Sequence, residues 1–259
     1  IVHRPARARV CVHVVRSVSH ASLVPCAAKT ALHTHTYTQC EAMWHMPSTG
    51  VSGVDLYAYN DGLDASREET WLFVAHFGPP TFPEPTQGTV DGLLGGGMKR
   101  FRAHMPLYNT VLGLELGVPA NATIQPSSTV AANDRVLWYG TSIAQGAVAS
   151  RPGTTFTNVI RNALVKDVVN FGFSGNCLME LDVAEQVLLK VSGVTLAVID
   201  CLPNMDAALV INRTAPLVRL LRQGWGDGVK IVLAEGTTYG GAWLLPSVEH
   251  GQTSKRQAL

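Results

Sequence analysis

A serine hydroxyl follows an apolar run at residues 136–139 and stands in a turn that two glycines bracket. Ser142 comes shortly after Gly140 and shortly before Gly146. At the end of a strand in an α/β protein, such a turn presents one side chain at the carboxyl edge of the sheet and leaves backbone N–H groups facing a substrate oxygen. The pattern suits a nucleophile that attacks a carbonyl carbon. An ordinary strand followed by a Gly/Ser turn has the same local sequence, so the neighbouring strand ends must distinguish the two interpretations.

Two later strand ends carry groups that complement this hydroxyl. The segment 170–176 (NFGFSGN) is a Gly-rich turn with exposed backbone N–H groups, and Asn204 brings a side-chain amide after the next apolar run. Attack of a hydroxyl on an ester carbonyl creates a negatively charged oxygen, and each donor aimed at that oxygen contributes about 3 to 4 kcal/mol. Three successive strand ends therefore present the parts of a nucleophile with an oxyanion hole.

The elements that would position these groups alternate between strand and helix after residue 133. Four apolar runs of strand length are followed or separated by segments with helical spacing, which indicates βαβ units and a parallel sheet buried on both faces. For the last helix, Thr214 is the expected N-cap, Pro216 lies in the first turn and Gly224 follows the end. The predicted strands are 135–140, 167–173, 194–202 and 229–235, and the predicted helices are 154–165, 181–190 and 215–223.

The first half of the chain has a different pattern of apolar and turn residues. Short alternating apolar segments such as 51–60 and 71–77 are separated by turn residues, which predicts a small antiparallel β domain over 43–128. The Gly-rich segment 93–97 is expected to be a connector, because no Lys-Ser/Thr pair follows it as in a phosphate-binding loop. Residues 1–42 show no periodicity and are predicted to be a disordered leader, of transit-peptide type or not part of the natural protein.

Composition argues against several classes of partner. The net charge is +1, but the first 40 residues hold five basic side chains and no acid, so 15 basic residues face 19 acidic ones in the remainder. We therefore expect no nucleic-acid partner, and no apolar run approaches the roughly 18 residues of a membrane span. The five cysteines, at 11, 26, 40, 177 and 201, form no pairable pattern. The sequence predicts no disulfide framework, and Cys201 is expected to be a small buried apolar residue.

Three spaced motifs carry a family resemblance. The segments 140–146 (GTSIAQG), 170–176 (NFGFSGN) and 200–205 (DCLPNM) resemble the first three blocks of the SGNH (GDSL-like) hydrolase superfamily, in the branch with GxSxxQG at the nucleophile. Residues 47–57 and 104–119 are similar to the N-terminal jelly-roll-like module of that branch. The resemblance implies a β-sandwich followed, over 129–259, by a three-layer flavodoxin-like parallel sheet that is incomplete at its C-terminus.

The same resemblance implies roles for individual residues. Ser142 is the expected nucleophile of a serine esterase, and the Ser142 N–H, the Gly172 N–H and the Asn204 amide are the expected oxyanion donors. Gln145 would orient Ser142 or contact the substrate. Thr141 stands where the family usually has Asp. The implied reaction is hydrolysis of a small-molecule or carbohydrate ester, such as removal of acetyl groups, through an acyl-enzyme without metal or organic cofactor.

The expected catalytic base is missing. The superfamily supplies it from a late DxxH block, and residues 129–259 contain one histidine, His250, with Ser247 at the carboxylate position. His76 and His104 fall in predicted strands of the β domain, where we expect structural roles. The sequence therefore predicts a fragment without the catalytic His and Asp. A non-catalytic glycan-binding protein and a non-functional fragment are the alternative interpretations.

We expect the 259-residue chain by itself to hydrolyse esters at a negligible rate, because general-base assistance to a serine hydroxyl contributes about 10² to 10⁴ in rate. The measurement compares fluorophosphonate labelling of Ser142 in this chain and in a chain extended by a DxxH block. Equal labelling rates for the two proteins would show that the base is already present.

Overall fold

A computed structural model describes residues 8–13, 23–25, 43–62, 70–78, 88–93, 98–111, 114–118, 124–125, 133–164 and 166–259. The chain separates into two compact units. The first comprises residues 1–128 with 148–158, and the second comprises residues 129–147 with 159–259. The segment 148–158, which the boundary after residue 128 places in the α/β domain, thus belongs to the first unit. The domain boundaries expected from the sequence, after residues 42 and 128, stay a prediction.

The first unit is built from two β-sheets. Its elements are β1 Ala8–His13, β2 Leu23–Pro25, α1 Ser48–Ser52, β3 Val54–Tyr59, β4 Trp71–Phe77, β5 Gly88–Leu93, β6 Phe101–His104 and β7 Glu115–Val118. One sheet has the strand order β2-β7-β1-β5 and the other the order β4-β3-β6. The three-stranded sheet is antiparallel throughout, as the alternating segments predict.

An apolar core lies between these two sheets. Val54, Leu56 and Phe77 of the three-stranded sheet are buried, and they pack with Val90 of β5 and Leu116 of β7 from the other sheet. Two sheets that share one apolar layer form a β-sandwich. The jelly-roll-like character of the unit stays a prediction.

Two strands lie within the first 42 residues, where the sequence predicts disorder. β1 pairs antiparallel with β5 and β7, and β2 pairs parallel with β7. For these nine residues the structure differs from the expectation, because partner strands far along the chain supply backbone hydrogen bonds that local composition does not reveal. The remainder of 1–42, and residues 94–97 of the predicted connector, lie outside the described residues.

Most of the remaining chain forms a parallel α/β sheet. Its elements are β8 Arg135–Gly140, α2 Ser142–Gln145, α3 Phe156–Leu164, β9 Asp167–Gly172, α4 Leu181–Gln186, β10 Val194–Asp200, α5 Ala207–Trp225, β11 Lys230–Leu233 and α6 Pro246–Ala258. The strand order is β11-β10-β8-β9, with every neighbouring pair parallel. This is the flavodoxin-like order, and it confirms the predicted fold class. No helix within the described ranges combines the length and apolarity that a bilayer crossing needs.

One face of this sheet carries the main core of the second unit. Leu137, Tyr139 and Ile199 alternate along β8 and β10 and are fully buried. Side chains from α4, α5 and the turn after α4 cover them, among them Ala184, Leu188, Val210, Leu217 and Leu221. The alternating apolar side chains of the strands and the apolar face of α5 therefore pack together in one layer.

Helix α5 is longer than the sequence predicts. It begins after Asp206, whose Oδ1 accepts a hydrogen bond from the Leu209 N–H at 2.8 Å, so the predicted N-cap at Thr214 is wrong. Pro216 lies inside the helix, where it costs about 3 kcal/mol. The buried stripe of Val210, Thr214, Leu217 and Leu221 outweighs this cost, since each large apolar side chain contributes about 1.5 to 3 kcal/mol on burial.

A buried carboxylate organises the first unit. Asp55 of β3 is fully buried, and its Oδ1 lies 2.7 Å from His76 Nδ1. Its Oδ2 accepts hydrogen bonds from the Gly153 N–H at 2.7 Å and from Arg151 Nη1 at 3.2 Å. The Arg151 guanidinium also lies 4.0 Å from the centre of the Phe73 ring. Asp55 therefore fastens the segment 148–158 to the β-sandwich, and sequence reasoning assigned it no role.

Asp55→Ala should lower the free energy of unfolding of the first unit by about 3 kcal/mol, because it leaves a guanidinium and an N–H without their buried acceptor. Urea unfolding measures the change. Asp61→Ala is the matched control: Asp61 is 40% exposed and lies 3.8 Å from Arg100, so its loss should cost under about 1 kcal/mol. Equal destabilisation by the two variants would contradict the role of Asp55.

Candidate functional site

The register of the parallel sheet brings three strand ends to one level. Gly140, the last residue of β8, pairs with Gly172 at the end of β9 and with Asp200 at the end of β10. The loops that follow these residues therefore leave the sheet side by side at its carboxyl edge. Two of these loops carry Ser142 and Asn204, and the third follows Gly172 directly, so the structure brings the predicted site segments together.

The turn at 140–146 depends on close packing at a glycine. A Cβ on Gly140 would lie 2.5 Å from the Cβ of Ala144, closer than real carbon atoms approach. Helix α2 can therefore turn back over the strand end only because residue 140 has no side chain. Gly146 ends the helix with a left-handed φ of 117°, which again favours glycine. Both glycines that bracket the serine in sequence serve the shape of this turn.

Ser142 is the first residue of α2 and is half-buried. The preceding Thr141 is buried and acts as the N-cap, with its Oγ1 accepting a 3.4 Å hydrogen bond from the Ile143 N–H. Threonine at the position where the family has Asp thus keeps a capping oxygen. Within the described part of the chain, the Ser142 hydroxyl has no hydrogen-bond partner. It is available to react, and no described side chain orients it through a hydrogen bond.

Gly172 has a structural task in addition to its predicted one. A Cβ at this position would lie 2.0 Å from the backbone N of Gln145, so glycine is needed for the contact between β9 and α2. Its N–H donates to Asn170 Oδ1 at 2.9 Å, and Asn170 Nδ2 donates to the Ala144 carbonyl at 2.6 Å. The Gly172 N–H therefore already has an acceptor inside the protein. Its predicted role as an oxyanion donor stays a prediction.

The next glycine of the same loop is more open. Gly175 has a left-handed φ of 71°, and a Cβ there would meet nothing within 4 Å. Its N–H has no hydrogen-bond partner among the described residues. The preceding N–H, that of Ser174, donates to Gln145 Oε1 at 2.9 Å. Gln145 therefore holds this loop, and the structure places its amide oxygen on Ser174 instead of on Ser142.

Asn204 joins the third loop to the second. It ends a 3-10 turn at Leu202–Asn204, and its Nδ2 donates to the Asn176 carbonyl. A disulfide between Cys177 and Cys201 links the same two loops. The predicted absence of a disulfide framework is therefore wrong for this pair, and Cys201 is buried as half of a cystine. The two cysteines are distant in sequence and become neighbours only because β9 and β10 flank β8.

A second polar contact lies at the same end of the sheet. Glu180 Oε2 accepts hydrogen bonds from the Tyr139 hydroxyl at 2.5 Å and from the Leu178 N–H at 2.8 Å. Burial raises the pKa of Glu180, but these hydrogen bonds and the charge of Arg213 outweigh burial and leave the pKa below its ordinary value. Burial, together with the Glu180 contact, raises the pKa of Tyr139. The pair fixes the start of α4 to β8 and leaves Glu180 engaged with protein groups.

Asp200, at the end of β10, lies beside the turn at 140–146. Trp138 Nε1 donates to its Oδ2 at 3.3 Å. Burial raises the pKa of Asp200, and the Trp138 hydrogen bond only partly opposes that effect. Asp206, on the other side of Asn204, caps α5 as described above. Of the two acids that flank Asn204, Asp206 thus holds the backbone, and Asp200 meets an indole.

A general base is the remaining requirement for hydrolysis at a serine hydroxyl. His250, the one histidine of residues 129–259, is exposed on α6. Among the described residues no group of three or more His, Cys, Asp or Glu side chains could hold a metal ion. The His76–Asp55 pair belongs to the first unit. The site as described thus consists of a hydroxyl and hydrogen-bond donors.

Comparisons with known families match both parts of the chain. The family described as GDSL-like lipase/acylhydrolase matches residues 133–259, and the GxDLY family, described as the N-terminus of SGNH-hydrolase-type esterases, matches residues 27–124. The sequence GVDLY at 53–57 contains the motif of the second family. Its aspartate is the buried Asp55, so the motif was the available signal for a residue that sequence reasoning missed. No curated protein sequence matches the chain.

Solved structures show the same fold. A protein of Bacteroides ovatus described as a GDSL-like lipase is 22% identical with a TM-score of 0.75, over 97% of this chain and 66% of that one. The salicylyl-acyltransferase SsfX3 from a tetracycline biosynthetic pathway is 13% identical with a TM-score of 0.64, over 97% of this chain and 64% of that one. The chain thus spans about two thirds of their length. At these identities the likeness shows the fold alone.

Gly172→Ala should destabilise the second unit by at least about 2 to 3 kcal/mol, because the added Cβ meets the backbone of α2 and one of the two elements must move. Gly175→Ala is the matched control in the same loop. It should cost about 1 kcal/mol, the penalty of a left-handed non-glycine residue in open space. Urea unfolding distinguishes the two, and a larger loss at residue 175 would refute the packing argument.

Glu180→Gln should lower stability at pH 7 by about 1 to 2 kcal/mol, since it removes the charge that strengthens two hydrogen bonds. The folded pKa of Glu180 lies below its ordinary value of 4.5. The stabilisation is therefore fully present above that pH and is lost as pH falls through the lowered folded pKa. Unfolding free energies of wild type and variant should converge in this acid range. A difference in unfolding free energy between wild type and variant that grows as the pH falls would contradict this role of Glu180.

Proposed function

Because the chain belongs to the GDSL-like, SGNH-type hydrolase family, we propose that it is a serine ester hydrolase in which Ser142 forms an acyl-enzyme. The observation that carries the proposal is the position of the Ser142 hydroxyl. It stands at the carboxyl edge of the sheet, at the start of α2, without a hydrogen-bond partner among the described residues. In open parallel sheets this edge is where ligands bind.

The proposed chemistry follows acyl transfer to serine. The Ser142 Oγ forms a bond to the acyl carbon and loses its proton, and the alcohol leaves after taking up a proton. Water then attacks the acyl-enzyme and releases the carboxylic acid. Charge develops on the carbonyl oxygen in both steps, so donors that face that oxygen lower both barriers.

Three groups are assigned to the oxyanion. The first is the Ser142 N–H, and the second is the Asn204 amide, which keeps a second N–H after its bond to Asn176. Sequence reasoning placed the third at the Gly172 N–H, which would first have to release Asn170. The Gly175 N–H needs no such exchange, because no described residue accepts from it. We therefore assign the third donor to Gly175.

The substrate class we propose is an acylated carbohydrate. The loop after β11 leaves the same carboxyl edge as the nucleophile turn, and it exposes two aromatic side chains, Tyr239 at 42% and Trp243 at 83%. Exposed aromatic rings present flat apolar surface with a polar handle, which suits the alternating C–H and hydroxyl faces of a sugar ring. An acetyl ester on that sugar would then be directed toward Ser142.

Ser142→Ala tests the nucleophile directly. Wild-type protein should be labelled at Ser142 by a fluorophosphonate, and added imidazole should accelerate labelling because it supplies an external proton acceptor. The Ser142→Ala variant should show no labelling under either condition, as read by intact mass and peptide mapping. Ser174→Ala is the matched control, since it removes a hydroxyl from a neighbouring loop. Labelling that survives Ser142→Ala would refute the proposal.

Trp243→Ala tests the substrate class. The variant should weaken binding of acetylated oligosaccharide, measured by titration calorimetry as a rise in Kd of about tenfold, because the loss of a stacked ring costs about 1 to 1.5 kcal/mol. Its imidazole-assisted reaction with 4-nitrophenyl acetate, which has no sugar, should be unchanged. Trp44→Ala removes another highly exposed tryptophan, from the first unit, and serves as the control. Equal effects of Trp243→Ala on both substrates would contradict a sugar contact.

A further inference from the structure

A disulfide and a hydrogen bond connect the same two loops in parallel. Cys177 directly follows Asn176, whose carbonyl accepts from Asn204 Nδ2. Cys201 begins the turn that ends at Asn204. The two cysteines are separated by 24 positions in sequence, and their Cα atoms lie 5.1 Å apart. The covalent link therefore sits one residue from the acceptor and three residues from the donor of this hydrogen bond.

The loop on the β9 side adopts conformations that need external support. Cys177 and Met179 have left-handed φ values of 64° and 56°, which side chains other than glycine rarely adopt and which cost about 1 to 2 kcal/mol each. Such conformations persist where the surroundings over-determine them. Here the support consists of the disulfide at Cys177 and the complete burial of Met179.

The disulfide belongs to the interior of the second unit. Both cysteines are at most 1% exposed and pack in the same core as Leu137 and Leu202. A bond in this position attaches the exposed turn at 174–176 to the buried core of the second unit. On one side, the Ser174 N–H donates to Gln145 Oε1, and the N–H of Phe173, just before the turn, donates to the Gly140 carbonyl. The disulfide holds it on the other side, toward Asn204.

We propose that the Cys177–Cys201 disulfide positions the oxyanion donors, by fixing the Asn204 amide against the turn that carries the Gly175 N–H. The inference rests on the proposed function and deepens it. Cys177 and Cys201 are positioning residues, because the sulfur atoms are buried and act through Asn204 and the turn. Donors aimed at the transition-state charge affect kcat more than KM, so loss of the bond slows acylation without weakening substrate binding.

The test begins by establishing the bond in the purified protein. Peptide mapping without reductant should yield a Cys177–Cys201 cross-linked peptide that separates on treatment with a dithiol. The dithiol supplies two electrons and two protons to the cystine and is itself oxidised to a cyclic disulfide. Recovery of both cysteines as free thiols in non-reduced protein would overturn the proposal.

The decisive comparison uses Cys177→Ala/Cys201→Ala with a control matched for stability. Leu221→Ala removes buried volume from the same core on α5, away from the loops. All proteins are assayed with 4-nitrophenyl acetate and imidazole, under conditions where each is fully folded, and the rate of the protein-free imidazole reaction is subtracted. The double variant should lose kcat by on the order of tenfold with KM within about twofold of wild type, because small displacements of catalytic groups reduce rate strongly. Leu221→Ala should retain wild-type kcat.

The kinetic outcomes distinguish the two proposals. If Ser142→Ala reacts as fast as wild type, the proposed function fails. If Ser142→Ala is inactive and the double cysteine variant matches Leu221→Ala, only the positioning role fails.

A side-chain readout is independent of activity. The Asn204 NH₂ signals in a ¹⁵N spectrum, assigned with Asn204→Ala, should broaden or shift in the double variant and stay in place in Leu221→Ala. Unchanged Asn204 signals would overturn the proposal. Should the double variant not fold, native protein before and after dithiol treatment replaces it, with the same two readouts.

Discussion

The hydrogen-bond register of one parallel sheet is the constraint on which the candidate site depends. Pairing of Gly140 with Gly172 and Asp200 sets the ends of three strands at one level. Parallel strands need crossover segments, so consecutive loops return to the same edge. A register shift of one residue would move each loop along the sheet and turn every side chain to the opposite face. The grouping of Ser142, the 172–176 turn and Asn204 is therefore a property of the sheet.

Close packing at that edge restricts which backbone groups can face a ligand. Gly140 and Gly172 are glycines because α2 approaches the ends of β8 and β9 closely. Once α2 is in place, Asn170 takes up the Gly172 N–H, and Gln145 takes up the Ser174 N–H. The backbone N–H groups of residues 172, 173, 174 and 176 all have acceptors within the protein. Donors without protein partners, such as the Gly175 N–H, are the ones that remain for an incoming oxygen.

The first unit has its own organising contact in the buried carboxylate of Asp55. A charge removed from water is costly unless hydrogen bonds and opposite charge replace its hydration. His76, Arg151 and the Gly153 N–H supply that replacement. Residues 148–158, which follow α2 in sequence, belong to this unit. The family motif at 53–57 thus corresponds to a structural anchor in the β-sandwich.

Local patterns in the sequence determined the strands of the parallel sheet and of the three-stranded antiparallel sheet, most helices and the order of the site motifs, because periodicity and turn chemistry act over a few neighbouring residues. Tertiary contacts decided the rest. Helix α5 begins at Ala207 because a buried stripe outweighs an internal proline. Gln145 accepts from the Ser174 N–H, and Cys177 meets Cys201, only after β9 and β10 have paired with β8. These two contacts join residues far apart in the chain, and sequence spacing carries no information about which distant groups the sheet register places within bonding distance.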